Sequence, residues 1–474
     1  MIMQNNRQTA INTALDIVDS GQLFDTLKRL VAYKTESQEP HRVTAQLDYL
    51  TNEIAPALHE MGFSTKLLDN PATATAPLLI AERIEDPSLP TVLTYGHADV
   101  VRGYDDQWSE GLNPWEVTAV GDRWYGRGIA DNKGQHAINL AALQTVLHAR
   151  NGSLKYNVKV IFESGEEIDS PGLNTVCEME KESLAADLFI ASDGPRVSAE
   201  RPTLFLGSRG GILFDLEVTL RDSAHHSGNW GGVLANPATI LAHAMASLVD
   251  QQGRIKVEAL LPPPIPGNVS AALSDVRLGQ DDNSPQIDEA WGQPGLTATE
   301  RVLAWNTIEI LAFKCANADA PVNAIPPTAK AVCDFRFVVG TDWQNLEKHL
   351  RDHLKAHGLD IVKVSVTEGL PATRLDPDNA WAQWALNSLS QTTGKAPALL
   401  PNFGGTIPNY VFAETLNLPT IWIPHSYPAC SQHAPNEHFL GSVARESIAI
   451  MAGIWWDLGE AGKEILEKQN SNIR

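Results

Sequence analysis

Residues 91–101 read TVLTYGHADVV. The first five are a mainly apolar, β-favouring run that reads as a strand, and just past its end stand His97 and Asp99. The arrangement recurs along the chain. Glu166 and Glu167 follow VKVIFES, Asp193 follows LFIAS, and His433 comes shortly after PTIWIPHS. Asp131 lies in the turn GRGIADNKG, immediately ahead of a helical stretch at 132–150. Open α/β sheets collect ligands beyond the carboxyl ends of their strands, so these segments can converge on one site. Taken singly each is weak, because a loop acid or loop histidine is ordinarily solvated or hydrogen-bonded. The information lies in the set.

Outward from this stretch, helical spacing at 23–33 and 45–61 and strand-like runs at 78–84, 158–162 and 188–191 give an alternation of helices and strands. That alternation implies an α/β fold with a mostly parallel sheet covered on both faces. From about Ser208 the pattern changes. Strands at 212–220, 307–313, 330–339 and 361–366 and helices at 237–249 and 343–357 follow the order β-α-β-β-α-β, that of a ferredoxin-like α+β unit. A Pro-, Gly- and Asp-rich stretch at 261–299 interrupts it and is too long for an ordinary connection. After about Pro371 the alternation resumes, with helices at 379–391 and 443–456 and a strand at 419–424. The expected organisation is one α/β domain formed by 1–207 and 371–474, with an α+β domain of 208–370 inserted into it. No internal repeat or low-complexity tract is present.

Composition narrows the function. The chain has 474 residues, and 57 acidic against 36 basic side chains leave a formal net charge of −21. A polyanion is a poor partner for nucleic acid or an anionic membrane surface, so neither is expected. The four cysteines, Cys177, Cys315, Cys333 and Cys430, are scattered, with no C-x-x-C pair to suggest a zinc knuckle and too few for a disulfide scaffold. Residues 1–21 are polar and lack the apolar core of a secretory signal, and 448–456, the most apolar late stretch, is far shorter than the roughly 20 residues that span a bilayer. The expected location is the cytoplasm, with reduced thiols.

Histidine and carboxylate donors without thiolate suit zinc, and also cobalt or manganese. Two divalent ions are balanced by the three carboxylates of Asp131, Glu167 and Asp193 and one hydroxide, so such a site avoids a large charge-burial penalty. Paired ions of this kind polarise a carbonyl and generate hydroxide near neutral pH. A spare carboxylate is then needed to carry the water's proton to a leaving amine, and the pair Glu166-Glu167 offers a base beside a ligand.

With these residues the chain resembles the M20 family of metallopeptidases, which includes carnosinase-like dipeptidases, aminoacylases, acetylornithine deacetylase and succinyl-diaminopimelate desuccinylase. The resemblance covers nearly the whole chain. It rests on GHADVV at 96–101, G-R-G-x-x-D-N-K-G at 126–134, ESGEE at 163–167, SDGP at 192–195 and HAPNE at 433–437. It implies that Asp131 bridges two metal ions, that His97 and Asp193 complete one site, and that Glu167 and His433 complete the other. It further implies that Asp99 orients the His97 imidazole, that Glu166 is the general base, and that the peptide between Asp131 and Asn132 is cis.

The inserted segment resembles the family's lid and dimerisation domain, which implies a homodimer. His226, in AHHSGNWGG, matches a histidine that reaches the substrate carbonyl, usually across the dimer, and stabilises the oxyanion. Arg336, on the strand AVCDFRFVV, and the turn GGTIP at 404–408, with Gly405 and Thr406, match a clamp for the substrate's C-terminal carboxylate. Asn323, in NAIP, matches a further substrate-region residue. The neighbouring His225 reads as structural. His349, His353 and His357 recur every four residues but carry no H-E-x-x-H pattern, and read as a solvent-facing row beside the Leu346, Leu350 and Leu354 stripe. Trp381, Trp384, Trp455 and Trp456 read as core or interface. No G-x-S-x-G is present, which disfavours a serine hydrolase.

The expected function is two-metal hydrolysis of an amide or peptide bond in a small substrate with a free C-terminal carboxylate, as in a dipeptidase. The alternative with the same machinery is an N-acyl-amino-acid deacylase. A non-catalytic binding protein would show loss of the base or a ligand, and neither is lost here.

Overall fold

In the computed structural model, which describes residues 6–279 and 284–472, the stretch quoted above forms the strand Thr91–His97 at the centre of an eight-stranded sheet. Thr91–His97 pairs in parallel with Asn157–Glu163 on one side and Leu188–Ala191 on the other. Leu188–Ala191 in turn pairs in parallel with Thr420–Trp422. Beyond these lie Leu78–Arg83 and Ser64–Leu68 at one edge, and Thr203–Phe205 and Ala398–Leu400 at the other. Four of the seven pairings are parallel. Every residue of Asn157–Glu163 and Leu188–Ala191 is buried, as expected for strands covered on both faces.

Two apolar cores account for that covering. On one face the helices Arg7–Asp19, Lys133–Ala149, Ala380–Thr393 and Gly441–Asn472 pack together, with Trp381 and Trp455 fully buried among them. On the other, Leu173, Val176 and Cys177 of the helix Leu173–Met179 meet Phe189, Phe205, Phe412 and Trp422. The helix closing the chain runs well past Trp456, the end set by apolar spacing alone.

A second sheet, all antiparallel, has the order Thr307–Lys314, Thr328–Phe337, Gly210–Thr219, Lys363–Val366. With the helices Pro237–Leu248 and Leu346–Ala356 laid on one face, this is the ferredoxin-like order. Leu346, Leu350 and Leu354 are buried in its core. Of the histidine row beside them, His349 bonds Asp342 at 2.8 Å, His353 bonds the Ser247 carbonyl at 2.9 Å, and His357 is exposed.

The long interruption at 261–299 does not join this core. Its helix Gly267–Leu273, together with Ala298–Leu303, which has a Thr297/Glu300 capping box, packs instead on the larger sheet's second core through Val269, Leu273 and Leu303. Residues 280–283 of that stretch, and 1–5 of the polar N-terminus, lie outside the described residues. Among the described residues no helix is long and apolar enough to cross a membrane, and the four cysteines are free thiols.

Candidate metal centre and active site

Parallel register brings the carboxyl ends of three strands level, with His97 opposite Glu163. That register puts His97, the last residue of its strand, and the loops bearing Glu166, Glu167 and Asp193 in one place. Asp131 arrives from the turn before Lys133–Ala149, across a cis Asp131–Asn132 peptide. His433 arrives from a loop in which Ser431, His433 and Asn436 all have positive φ.

The result is two ligand triads that share Asp131. In each, the donor atoms of His97, Asp131 and Asp193, and of Asp131, Glu167 and His433, lie within 4.8 Å of one another. His97 Nε2 is 3.0 Å from Asp131 Oδ1 and 3.7 Å from Asp193 Oδ2. His433 Nε2 is 3.0 Å from both Asp131 Oδ2 and Glu167 Oε2. Gln432 Nε2 also donates to Asp131 Oδ2. Glu166 borders the triads, with Oε2 4.0 Å from His97 Nε2. Asp99, fully buried, is 3.4 Å from His97 Nδ1 through Oδ1.

The charges identify what these residues suit. No lysine or arginine among the described residues ion-pairs with Asp131, Glu166, Glu167 or Asp193; histidines alone do. Burial, followed by the repulsion of Asp131, lifts the Glu167 carboxyl to about 7 and the Asp193 carboxyl to about 6. Burial raises Glu166 well above the ordinary range, with Asp193, Glu167 and Asp131 adding to it against the opposing pull of His97. Hydrogen bonds that the ring donates to Asp131 and Glu167 push His433 up to about 11. Burial pulls His97 down, but Asp131, Asp99, Asp193 and Glu166 outweigh it and hold the ring well above its usual value. Glu167 Oε1 is buried with no hydrogen-bond partner. A crowded acid cluster with a spare buried oxygen and two imidazoles is a donor set for a pair of divalent cations, and the residues fit.

The cleft over the triads is lined by Asp131, Glu166, Asp193, Phe403, Thr406, Gln432 and His433, and has a volume of about 310 Å³. Arg336, on the smaller sheet, does not line the cleft itself but bonds a residue that does, with Nη1 donating to Thr406 Oγ1 at 2.7 Å and Nε to Asp334 Oδ2 at 2.7 Å. Gly405 turns the chain where a Cβ would meet the Phe403 ring at 2.8 Å. His226 and Asn323 come together with each other and not with the triads. His226 pairs with Ala324 on a two-stranded ladder, Ser227 N donates to Asn323 O at 2.9 Å, both residues are exposed, and neither lines the cleft.

Several neighbours escaped the sequence reading. Arg209 clamps the 403–406 turn: its amide donates to Phe403 O at 3.0 Å, its Nε to Gly404 O at 2.9 Å, and its carbonyl accepts from Thr406 Oγ1 at 3.2 Å. Asn132 Nδ2 donates to Ser192 O at 2.9 Å, and its Oδ1 lies 3.2 Å from His136, whose other nitrogen meets Tyr49 at 2.7 Å. Arg127 and Glu437 form a fully buried pair beneath the Asp131 turn. The signal was present for the last two, since both are charged residues inside quoted motifs.

A mixed sheet whose strand ends carry two carboxylate–imidazole triads around a shared aspartate, beside a smaller antiparallel sheet bearing an arginine, defines a metal-dependent peptidase. The chain belongs to peptidase family M20/M25/M40, whose model matches residues 93–457. It is 27% identical to the mouse Beta-Ala-His dipeptidase over 439 residues, covering 88% of each chain. It is 25% identical to the cysteinylglycine-S-conjugate dipeptidase of Corynebacterium striatum over 420 residues, covering 85% of this chain and 88% of that one. In fold it is similar to the M20 family metallo-carboxypeptidase Sso-CP2 of Sulfolobus solfataricus, with a TM-score of 0.77 and 22% identity over 92% of this chain and 98% of that one.

Proposed function

We propose that the chain is a dipeptidase that cleaves small peptides bearing a free C-terminal carboxylate. The observation that carries this reading is the sharing of Asp131 by two triads, with Glu166 beside both. His97, Asp131 and Asp193 would hold one divalent ion, and Asp131, Glu167 and His433 the other, with zinc as the first choice and manganese or cobalt as alternatives. Such ions, when bound, polarise the scissile carbonyl and acidify water.

The remaining work falls to the chain. Asp99 keeps the His97 ring oriented through Nδ1. Glu166 takes a proton from the attacking water at its carboxylate and returns it to the departing amine, a task that suits a carboxyl whose affinity for protons is raised. The Arg336 guanidinium and the Thr406 hydroxyl hold the substrate's C-terminal carboxylate, and Gly405 lets its turn close, while Asn323, beside His226, would border substrate only from the neighbouring subunit. His226, exposed and remote from its own chain's triads, would serve the oxyanion in the neighbouring subunit of a homodimer. The smaller sheet unit, within 208–370, would act as lid and dimerisation domain on the catalytic unit formed by 1–207 and 371–474. The proposed location is the cytoplasm, with no nucleic-acid or membrane partner.

The test is a paired panel of dipeptides and the matching N-acetyl amino acids, offered to protein reconstituted separately with Zn²⁺, Mn²⁺ and Co²⁺. Dipeptides are expected to be the better substrates by kcat/KM. Hydrolysis of the N-acetyl series alone would replace this reading with a deacylase, and sedimentation as a monomer would remove the role given to His226.

A further inference from the structure

The resting geometry of Asp131 is not set by its own side chain alone. An aspartate has a single methylene, so its carboxylate goes where its backbone goes, and this backbone sits in a loop. The buried residue beneath that loop is Glu437. Its Oε1 accepts the amides of Ala130 at 2.9 Å and Asp131 at 3.2 Å. Its Oε2 accepts the Gly128 amide at 3.1 Å and Arg127 Nη1 at 2.6 Å. Four donors use the whole acceptor capacity of an ionised carboxylate. Three of them are successive or near-successive amides of the turn that presents Asp131.

The other end of the same pair reaches the second ligand. Arg127 Nη2 donates to the carbonyl of Ala434, the residue after His433, at 3.1 Å, and its Nε donates to Arg102 O at 3.1 Å. Glu437 is itself carried by the strand His438–Leu440, which pairs with Arg123–Tyr125, and its carbonyl accepts the Gly126 amide at 3.0 Å. Arg127 is 0% exposed and Glu437 1% exposed, so water does not compete for these bonds. Two segments about 300 residues apart in the chain are thus locked together, one bearing Asp131 and the other His433.

The structure assigns to Glu437, acting with Arg127, the positioning of the Asp131–His433 edge of the metal centre. This rests on the reading of Asp131 as a shared metal ligand. Glu437 touches neither substrate nor metal, so it is a positioning residue and not a catalytic one. Its effect would appear in how tightly, and in what geometry, ions are held.

The experiment compares four full-length proteins: wild type, Asp131→Asn, Glu437→Gln and Glu437→Asp. Zn²⁺ affinity is measured by competition with a chromophoric chelator, and ligand geometry by the visible absorption of the Co²⁺-loaded chain. Asp131→Asn tests the underlying reading and should lose the paired site. Glu437→Gln turns one acceptor into a donor facing the Gly128 amide and Arg127, and should weaken Zn²⁺ binding about 10–100-fold with an altered Co²⁺ spectrum. Because it also leaves a buried guanidinium unpaired and threatens folding, Glu437→Asp is the companion variant. It keeps the charge beside Arg127 but is one methylene too short to serve all four donors, and should shift affinity and spectrum in the same direction. Wild-type affinity and spectrum in folded Glu437→Asp would overturn the inference while leaving the metal site intact. Wild-type Zn²⁺ binding by Asp131→Asn would overturn the metal reading itself.

Discussion

Asp99 Oδ1 accepts the backbone amide of Glu166 at 3.2 Å, and Asp99 Oδ2 accepts the next amide, that of Glu167, at 3.1 Å. The residue that steadies the His97 ring therefore also holds the turn bearing both glutamates. In Asp99→Asn the amide nitrogen would oppose one of those N–H groups, donor against donor. The expected outcome is a kcat lower by about 10–100-fold with weaker zinc binding, read by steady-state kinetics and by zinc titration.

Of Asp131, Glu166, Glu167 and Asp193, Glu166 is the one that joins neither triad. Replacing it by glutamine removes the proton carrier and keeps the shape. Turnover should fall by about 10²–10⁴-fold while elemental analysis still finds two ions per chain. Loss of the ions along with activity would make Glu166 a ligand instead.

Gly211 is where the smaller sheet passes under the carboxylate clamp. A Cβ there would meet Arg336 Nη1 at 2.9 Å and Thr406 Oγ1 at 3.1 Å. The guanidinium is the end of a flexible side chain, so Gly211→Ala should hardly change the thermal midpoint. Displacing it should cost a charge-assisted hydrogen bond to substrate, about 1.5–3 kcal/mol, and raise KM by roughly ten- to a hundredfold with a smaller effect on kcat. The KM and kcat of one dipeptide in both proteins decide it.

Removing divalent ions should destabilise the protein. Without them Asp131, Glu166, Glu167 and Asp193 face one another, and the folded pKa values of Glu167, about 7, and Asp193, about 6, lie above the ordinary ones of 4.5 and 3.8. Groups raised in this way favour folding while protonated, and that contribution is lost as pH rises through their folded values. The thermal midpoint of chelator-treated protein should therefore fall between about pH 4 and pH 7, and excess Zn²⁺ should restore it. At a hundred times Kd the restoring contribution is about 2.7 kcal/mol per site.

His425 works in the opposite sense. Its Nε2 lies 3.0 Å from both Ser192 Oγ and Asn139 Oδ1, its Nδ1 has no partner, and burial, then Arg196, holds the ring well below the ordinary 6.5. The folded ring stays neutral while the unfolded one takes up a proton as pH falls through about 6.5, so stability drops with acid. His425→Gln should show a shallower decline in thermal midpoint from pH 7 to pH 5 than wild type. Parallel curves would remove the assignment.

Much of the fold was legible because its signals are local. TVLTY, VKVIF and LFIA are short, mainly apolar and rich in β-branched or aromatic residues, as a strand buried on both faces requires. The three-residue strands Thr203–Phe205 and Ala398–Leu400 are not legible because runs so short have no periodicity to read. The 261–299 stretch stands out as anomalous, but its joining the core of Leu400 and Phe412 depends on shape and not on pattern. Among the site residues the pattern divides likewise. His97, Asp193, Glu167 and His433 stand at or after strand ends and Asp131 just before a helix, whereas Arg209 sits in an ordinary-looking SRGG and is singled out only by its bonds to the 403–406 turn.

Residue type, order and spacing by themselves determined the kind of sheet, the inserted β-α-β-β-α-β unit and the acids and histidines able to bind cations. Those properties follow from burial period and donor chemistry, which are written along the chain. The motif resemblance implied a shared Asp131 and a spare Glu166; only the tertiary structure decided that Glu437 lies under the Asp131 turn, that Arg209 clamps the 403–406 turn, and that His226 stands apart from the cleft of its own chain. Each is a relation between side chains far apart in sequence, created when parallel strands bring their carboxyl ends level and loops of unrelated sequence meet above them.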